Sequence, residues 1–204
     1  MTYFLKLNFP KNPIKDIQAP EIQVPILHAY RSISPRAHLT DEVYDLFNEI
    51  GLKPQYVFLF GSNRKRSTLP NRMIHTDLHI GKTGKWEKFI FGINWEINES
   101  HNEFYWWNMS SVEEVWPEEG TPKILLNGIH YGQRTKLGVP DGVKKLDQTV
   151  IDGPTLIRTN IPHSTEYYNE NYNRLGISIR FDESNFNNWE DVLKKLKPYE
   201  LVKS

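Results

Sequence analysis

The 204-residue chain contains no cysteine. That removes disulfides, thiolate zinc sites, iron–sulfur clusters and a cysteine nucleophile from its chemistry, without fixing the compartment. Charge of one sign is not in excess either: Lys and Arg number 25, Asp and Glu 25, for a formal net charge of zero. A generic binder of nucleic acid or of a membrane surface needs a basic surplus. Neutrality therefore speaks against both, while a local basic patch or a flipped or single base stays open. No apolar run is long enough to cross a bilayer, and the N-terminus lacks a basic stretch followed by an apolar one. The expectation is a soluble, cytoplasmic protein with no membrane partner. Repeats, low-complexity tracts and domain linkers are also missing, so residues 1–204 read as one domain.

What the chain does have is apolar and aromatic bulk: 38% hydrophobic residues and 13% aromatic ones, including 6 Trp. That is enough for a sizeable core, and it excludes disorder of the whole chain. Thr40 is placed to cap a helix over 41–50, in which Val43, Leu46, Phe47 and Ile50 fall at helical spacing and Gly51 follows as a stop. A second amphipathic helix is predicted near 186–196, with Phe186, Trp189, Val192, Leu193 and Leu196 on one face and Pro198 behind it. Between them lie short strand-like runs separated by turn signals. Residues 3–9 alternate. Residues 10–25 carry four prolines and read as irregular. Tyr56–Phe60 is apolar enough for burial on both faces. Residues 86–97 read as one strand, with Phe89, Phe91, Ile93 and Trp95 alternating on one side. Residues 103–109, 123–126, 149–151, 155–157 and 174–181 complete the set, with Asp152-Gly153-Pro154 as a turn. Many short strands flanked by two helices predict a mainly β, double-sheet fold: a double-stranded β-helix (jelly roll, cupin-like) with flanking α-helices and a core of roughly 56–181. An immunoglobulin-like sandwich has no obvious place for the helices.

The stretch Met73-Ile74-His75-Thr76-Asp77-Leu78 carries the chemistry. In a strand, residues two apart point to one side, so His75 and Asp77 present an imidazole and a carboxylate together. These are two thirds of a 2-His-1-carboxylate triad, which holds Fe(II) and leaves the opposite coordination face open. Alone, such a pair serves equally well as a hydrogen-bonded pair on a surface strand. His163, in Asn160-Ile161-Pro162-His163, is the natural third ligand, and Arg174 follows it after ten intervening residues at the start of Arg174-Leu175-Gly176-Ile177-Ser178-Ile179-Arg180-Phe181. The other five histidines have no spacing argument, although His79 lies two beyond Asp77.

This order resembles that of the Fe(II)/2-oxoglutarate-dependent oxygenases: an H-x-D pair on one strand, a distal His at the end of a later one, and an Arg further on at the start of the last core strand. The resemblance implies a double-stranded β-helix, with Fe(II) and 2-oxoglutarate as cofactors. It makes His75, Asp77 and His163 the metal ligands and gives Arg174 the far carboxylate of 2-oxoglutarate, which a planar guanidinium suits. Ser178 would add a hydrogen bond to the cosubstrate, although the R-x-S variant of the pattern would need a serine where Gly176 stands. Arg180, on the same face, is the second choice for the carboxylate. If consecutive strands pair, the start of the last strand lies by the metal and Arg180 lies well away. By analogy, Asn94 and Tyr105 would line the cosubstrate pocket. The implied reaction hydroxylates a C–H bond of a small molecule or protein side chain and releases succinate and CO2.

Two other readings stay open. One is a cupin-type metal enzyme without 2-oxoglutarate, disfavoured because no G-x5-H-x-H run is present. The other is a non-catalytic jelly-roll binding module, which would suit the 6 Trp and 10 Tyr as stacking platforms but has no use for the His, Asp, His, Arg order. Segments 61–71 and 112–145 are the expected substrate-facing insertions.

Overall fold

The computed structural model describes residues 1–15, 29–62, 73–80, 86–96, 102–108, 124–126, 129–137, 144–166 and 174–202. Within these, only the backbone is described at 29–33, 59–62, 73–75, 80, 86, 102, 124–126, 129–137, 166 and 174–175. The segments 61–71 and 112–145 therefore fall largely outside the described residues.

The protein is mainly β, built from two antiparallel sheets. The first runs β1 (Phe4–Lys6), β11 (Thr155–Arg158), β6 (Phe91–Glu96), β13 (Arg174–Phe181), β3 (Pro54–Ser62) and β2 (Ala29–Ile33). The second runs β10 (Lys144–Ile151), β7 (Asn102–Asn108), β12 (His163–Glu166), β4 (Met73–Ile80), β9 (Ile129–Leu137) and β8 (Ile124–Leu126). β5 (Trp86–Lys88) also pairs with β4, at Leu78–Ile80. β9 lies along β4 from Met73 to His79, so β12 and β5 share the other edge in succession.

Helices cover the outer side of the first sheet. After the short α1 (Pro35–His38), α2 (Asp41–Ile50) begins at Thr40, whose side chain accepts from the Val43 amide. It ends at Gly51, whose φ of 78° is left-handed and suits glycine. α3 (Trp189–Leu196) begins at Asn188, whose side chain accepts from the Asp191 amide. That cap starts the helix at Trp189 and leaves Phe186 in the preceding turn, where its amide donates to the Glu183 carbonyl. Val43, Phe47 and Ile50 from α2 and Trp189, Val192 and Leu196 from α3 join one core with the outward residues of the sheet: Phe91, Ile93, Trp95, Ile177, Ile179 and Phe181. Alternation along β13 then turns Gly176, Ser178 and Arg180 inward, toward the second sheet.

Three expectations change. The single strand over 86–97 is two strands in different sheets: β5 joins the second, β6 the first, and the chain crosses between them at Phe89 and Ile90. Both Glu183 carboxylate oxygens accept from the Ile90 amide, and one also accepts from Phe91, which supplies the partners that the broken ladder would have given. Asp152-Gly153-Pro154 is a turn as expected, but the strands it joins, β10 and β11, lie in opposite sheets. β2 falls beyond the proline-rich stretch, and β9 in a segment whose pattern gave no strand signal.

Candidate functional site

The inner faces meet at a buried charge pair. Asp77, on β4 of the second sheet, is 1% exposed, and Arg180, on β13 of the first, is 5% exposed. Arg180 Nη2 donates to Asp77 Oδ2 across the gap between the sheets. Arg180 Nη1 donates to Ser178 Oγ at 2.6 Å and to Asn94 Oδ1 at 3.5 Å, and Ser178 Oγ donates to the same Asn94 oxygen. Ser178 and Asn94 stand opposite each other in the β13–β6 register. The Phe89 ring lies 6.0 Å from the guanidinium carbon, within the range of a cation–π contact. Arg180 Nε is buried with no hydrogen-bond partner among the described residues. Such an orphaned donor in a folded protein calls for an acceptor.

Room for this guanidinium comes from Gly92. A Cβ at that position would stand 1.8 Å from Arg180 Nη1 and 2.5 Å from Cζ. A glycine inside an alternating strand signals a close approach, and that signal was present in the sequence at Phe91-Gly92-Ile93. On the other side of β13, Tyr56 pairs in register with Arg180, and a register shift follows between Arg180 and Phe181. Irregularities of this kind re-aim side chains and are common beside functional sites. Burial pushes the Tyr56 phenol up to about 12, so it is not a base at neutral pH.

His163 completes the described part of the site. It is 2% exposed and stacks on Phe104 with ring centres 5.0 Å apart. Its Nδ1 lies 2.9 Å from the Ile161 carbonyl oxygen. That carbonyl can only accept, so Nδ1 carries a proton, and Nε2 is the nitrogen turned toward Asp77, as in a metal-ligating histidine whose other nitrogen is held by a backbone carbonyl. Nε2 faces Asp77 Oδ2 at 3.9 Å. Two atoms each about 2.1 Å from one ion stand roughly 3–3.5 Å apart, so a small side-chain adjustment would let both reach the same cation. In the strand register His163 stands directly opposite His75, which puts the backbone of the first H-x-D residue beside it. The side chain of His75 lies outside the described residues. His163 and Asp77 supply a nitrogen and a carboxylate oxygen, two donors of the kind a divalent transition metal takes, and no group of three or more His, Asp or Glu side chains is placed to hold a metal among the described residues.

The structure thus brings Asp77, His163, Arg180, Ser178 and Asn94 together, with the backbone of His75 alongside. Two residues stand elsewhere. Tyr105 lies between Phe104 and Trp106, and it is Trp106 that shares the register and the inner face with His163. Tyr105 lies on the outer face instead, where its hydroxyl donates to Glu103, its ring stacks on Trp107, and the Lys145 ammonium lies over it at 5.2 Å. Arg174 pairs with Ser62 at the opposite end of β13 from Arg180, and its side chain lies outside the described residues. The expectation that Arg180 is remote from Asp77 does not hold, because β12 and β13 are not neighbours. β12 pairs with β7 and β4 in the second sheet, and β13 with β3 and β6 in the first. The sites of Gly92, Phe89 and Glu183 were not anticipated.

Glu183 stands two residues beyond the end of β13. Burial pushes its carboxyl up to about 7, against the downward pull of the Ile90 and Phe91 amides and of Arg180.

No family model and no curated protein matches the chain. Among solved structures, the X-ray structure of E. coli ycfD is similar at a TM-score of 0.33 and 10% identity, over 79% of this chain. The chain spans 35% of the length of that one, and a likeness so slight carries no argument. No helix among the described residues is long and apolar enough to cross a membrane.

Proposed function

We propose that this protein is an Fe(II)- and 2-oxoglutarate-dependent oxygenase on a double-stranded β-helix, hydroxylating a C–H bond of a small molecule or side chain. The observation that supports it most is the buried pair of Asp77 Oδ2 and His163 Nε2, facing each other at 3.9 Å across paired strands with His75 in register. His75, Asp77 and His163 would hold the iron. When bound, the metal and its keto acid supply the oxidising power, turning dioxygen, 2-oxoglutarate and R–H into R–OH, succinate and CO2.

The chain's own residues do the positioning. The Ile161 carbonyl fixes the His163 tautomer. Arg180 touches the ligating carboxylate itself, so it stands at the metal end of the pocket and suits the carboxylate of the acid nearest the metal. The far carboxylate then needs another partner, and Arg174 is the residue we assign to it. Six residues separate the two along β13, about 20 Å at ~3.3 Å per residue, so only one can serve the far end of a five-carbon acid. Ser178 and Asn94 orient the Arg180 fork.

Anaerobic Fe(II) titration with and without 2-oxoglutarate tests the assignment. His75→Ala and His163→Ala should each abolish Fe(II) binding; wild-type affinity in either variant removes that residue from the ligand set. Asp77→Ala is a poorer probe, because it strands a buried guanidinium. Arg174→Ala should raise the 2-oxoglutarate requirement for succinate release at least tenfold, a loss of about 1.5–3 kcal/mol, with iron binding intact. The competing reading takes Asp77–Arg180 as a purely structural ion pair. Absence of Fe(II) binding by the wild-type protein would select it.

A further inference from the structure

We infer that Arg180 is a built-in counter-cation that makes this site take up its divalent metal and its dianionic acid together, so that the metal binds weakly until the acid is present. This rests on the reading of the site as an iron and 2-oxoglutarate centre. The charges and their confinement carry it. Asp77 contributes one negative charge and Arg180 one positive charge, and both are buried between the sheets. With neutral histidine ligands, the described part of the site sums to zero. A divalent ion raises that sum to two positive charges, where burial gives little screening. A dianion returns it to zero.

The guanidinium has no ready escape from the incoming cation. Its Nη1 is tied to Ser178 and Asn94, and also lies 3.4 Å from the Ile179 carbonyl oxygen. Its fork occupies the space that the missing side chain of Gly92 leaves open. Another described carboxylate that feels Arg180 is Glu183. Its oxygens are engaged by the Ile90 and Phe91 amides, and with its carboxyl near 7 it balances only part of a charge at neutral pH. Nε of Arg180 is a buried donor with no acceptor among the described residues, and a carboxylate oxygen is what the acid brings. Coupling of this sort is reciprocal: if the acid tightens the metal, the metal tightens the acid by the same factor.

The test is Mn(II) binding, followed by calorimetry and by the electron paramagnetic resonance signal of free Mn(II). Wild-type protein should bind Mn(II) about tenfold more tightly with saturating 2-oxoglutarate than without it. In Arg180→Gln, Mn(II) alone should bind about fivefold more tightly than to the wild type, and the gain from the acid should shrink. Arg180→Lys keeps the charge and should retain weak binding of the metal alone, which separates charge from hydrogen-bond geometry. A wild-type gain below about threefold, with the metal bound, overturns the inference and leaves the iron reading standing. So does a folded Arg180→Gln whose affinity for Mn(II) alone is unchanged or weaker. Failure of the wild type to bind Mn(II) with or without the acid overturns both. Should Arg180→Gln not fold, Arg180→Met, which also removes the charge, takes its place in the same titrations with the same expected and overturning results.

Discussion

A carboxylate and a guanidinium buried between two sheets are each costly to desolvate, and they persist because each satisfies the other. At Arg180 the arrangement depends on a third residue with no side chain at all. Gly92 contributes neither charge nor hydrogen bond; it contributes space, since a Cβ there would overlap Arg180 Nη1 at 1.8 Å. Arg180 cannot swing aside without giving up Asp77, Ser178 and Asn94. Gly92→Ala is therefore expected to destabilise the protein by about 2–3 kcal/mol, at the upper end for overpacking. In an Arg180→Met background, whose flexible side chain yields more readily, the added cost of Gly92→Ala should fall below about 1 kcal/mol. Urea denaturation of the four proteins gives the coupling directly. Additive losses would mean that Gly92 is needed for its backbone and not for the fork beside it.

At the scale of elements, the crossing from β5 to β6 is held from outside by Glu183. Its carboxylate takes the Ile90 and Phe91 amides, and the Phe89 amide next to them donates to the Asp77 carbonyl. Burial raises the Glu183 carboxyl from 4.5 to about 7, so the folded protein holds this proton more tightly than the unfolded chain. The contribution is thus fully present below about pH 4.5 and is lost as pH rises through 7. At about 1.4 kcal/mol per pKa unit, the decline over that window is up to roughly 3 kcal/mol, less where water reaches the partly buried group. Denaturation midpoints measured from pH 5 to 8 should show this fall, and Glu183→Gln, which cannot ionise, should flatten it. A slope that survives in the glutamine variant assigns the effect to other groups.

For the whole molecule, the first sheet separates the helix-packed core from the proposed site by its two faces. Phe47 on α2 packs edge-on against Phe181 at 5.1 Å, Phe9 at 6.0 Å and Trp95 at 6.4 Å, on the outer face. Arg180, Ser178 and Asn94 sit on the inner one. Phe47→Ala should cost about 3–5 kcal/mol in a denaturant titration while changing metal affinity by less than about threefold, provided the variant is studied well below its midpoint. A loss of affinity in step with the loss of stability would show that the two faces are coupled.

How far the sequence went follows from which interactions are local. The cap at Thr40, the stop at Gly51 and the apolar stripe of the last helix depend on neighbours three or four residues away, so helical spacing revealed them. The alternation of Ile177, Ser178, Ile179 and Arg180 likewise fixed which side chains share a face, because the strand repeat is two. The grouping of Asp77 with His163 was suggested by the order of a motif. That Arg180 joins them was decided by tertiary structure alone. Nothing near Arg180 in the chain says that β12 and β13 part company into opposite sheets, that the chain breaks at Phe89 and Ile90 to do the same, or that Gly92 leaves a space for a guanidinium from 88 residues further along. Sheet partners are chosen by packing between segments distant in sequence, and a period of two reads the same whichever sheet a strand joins.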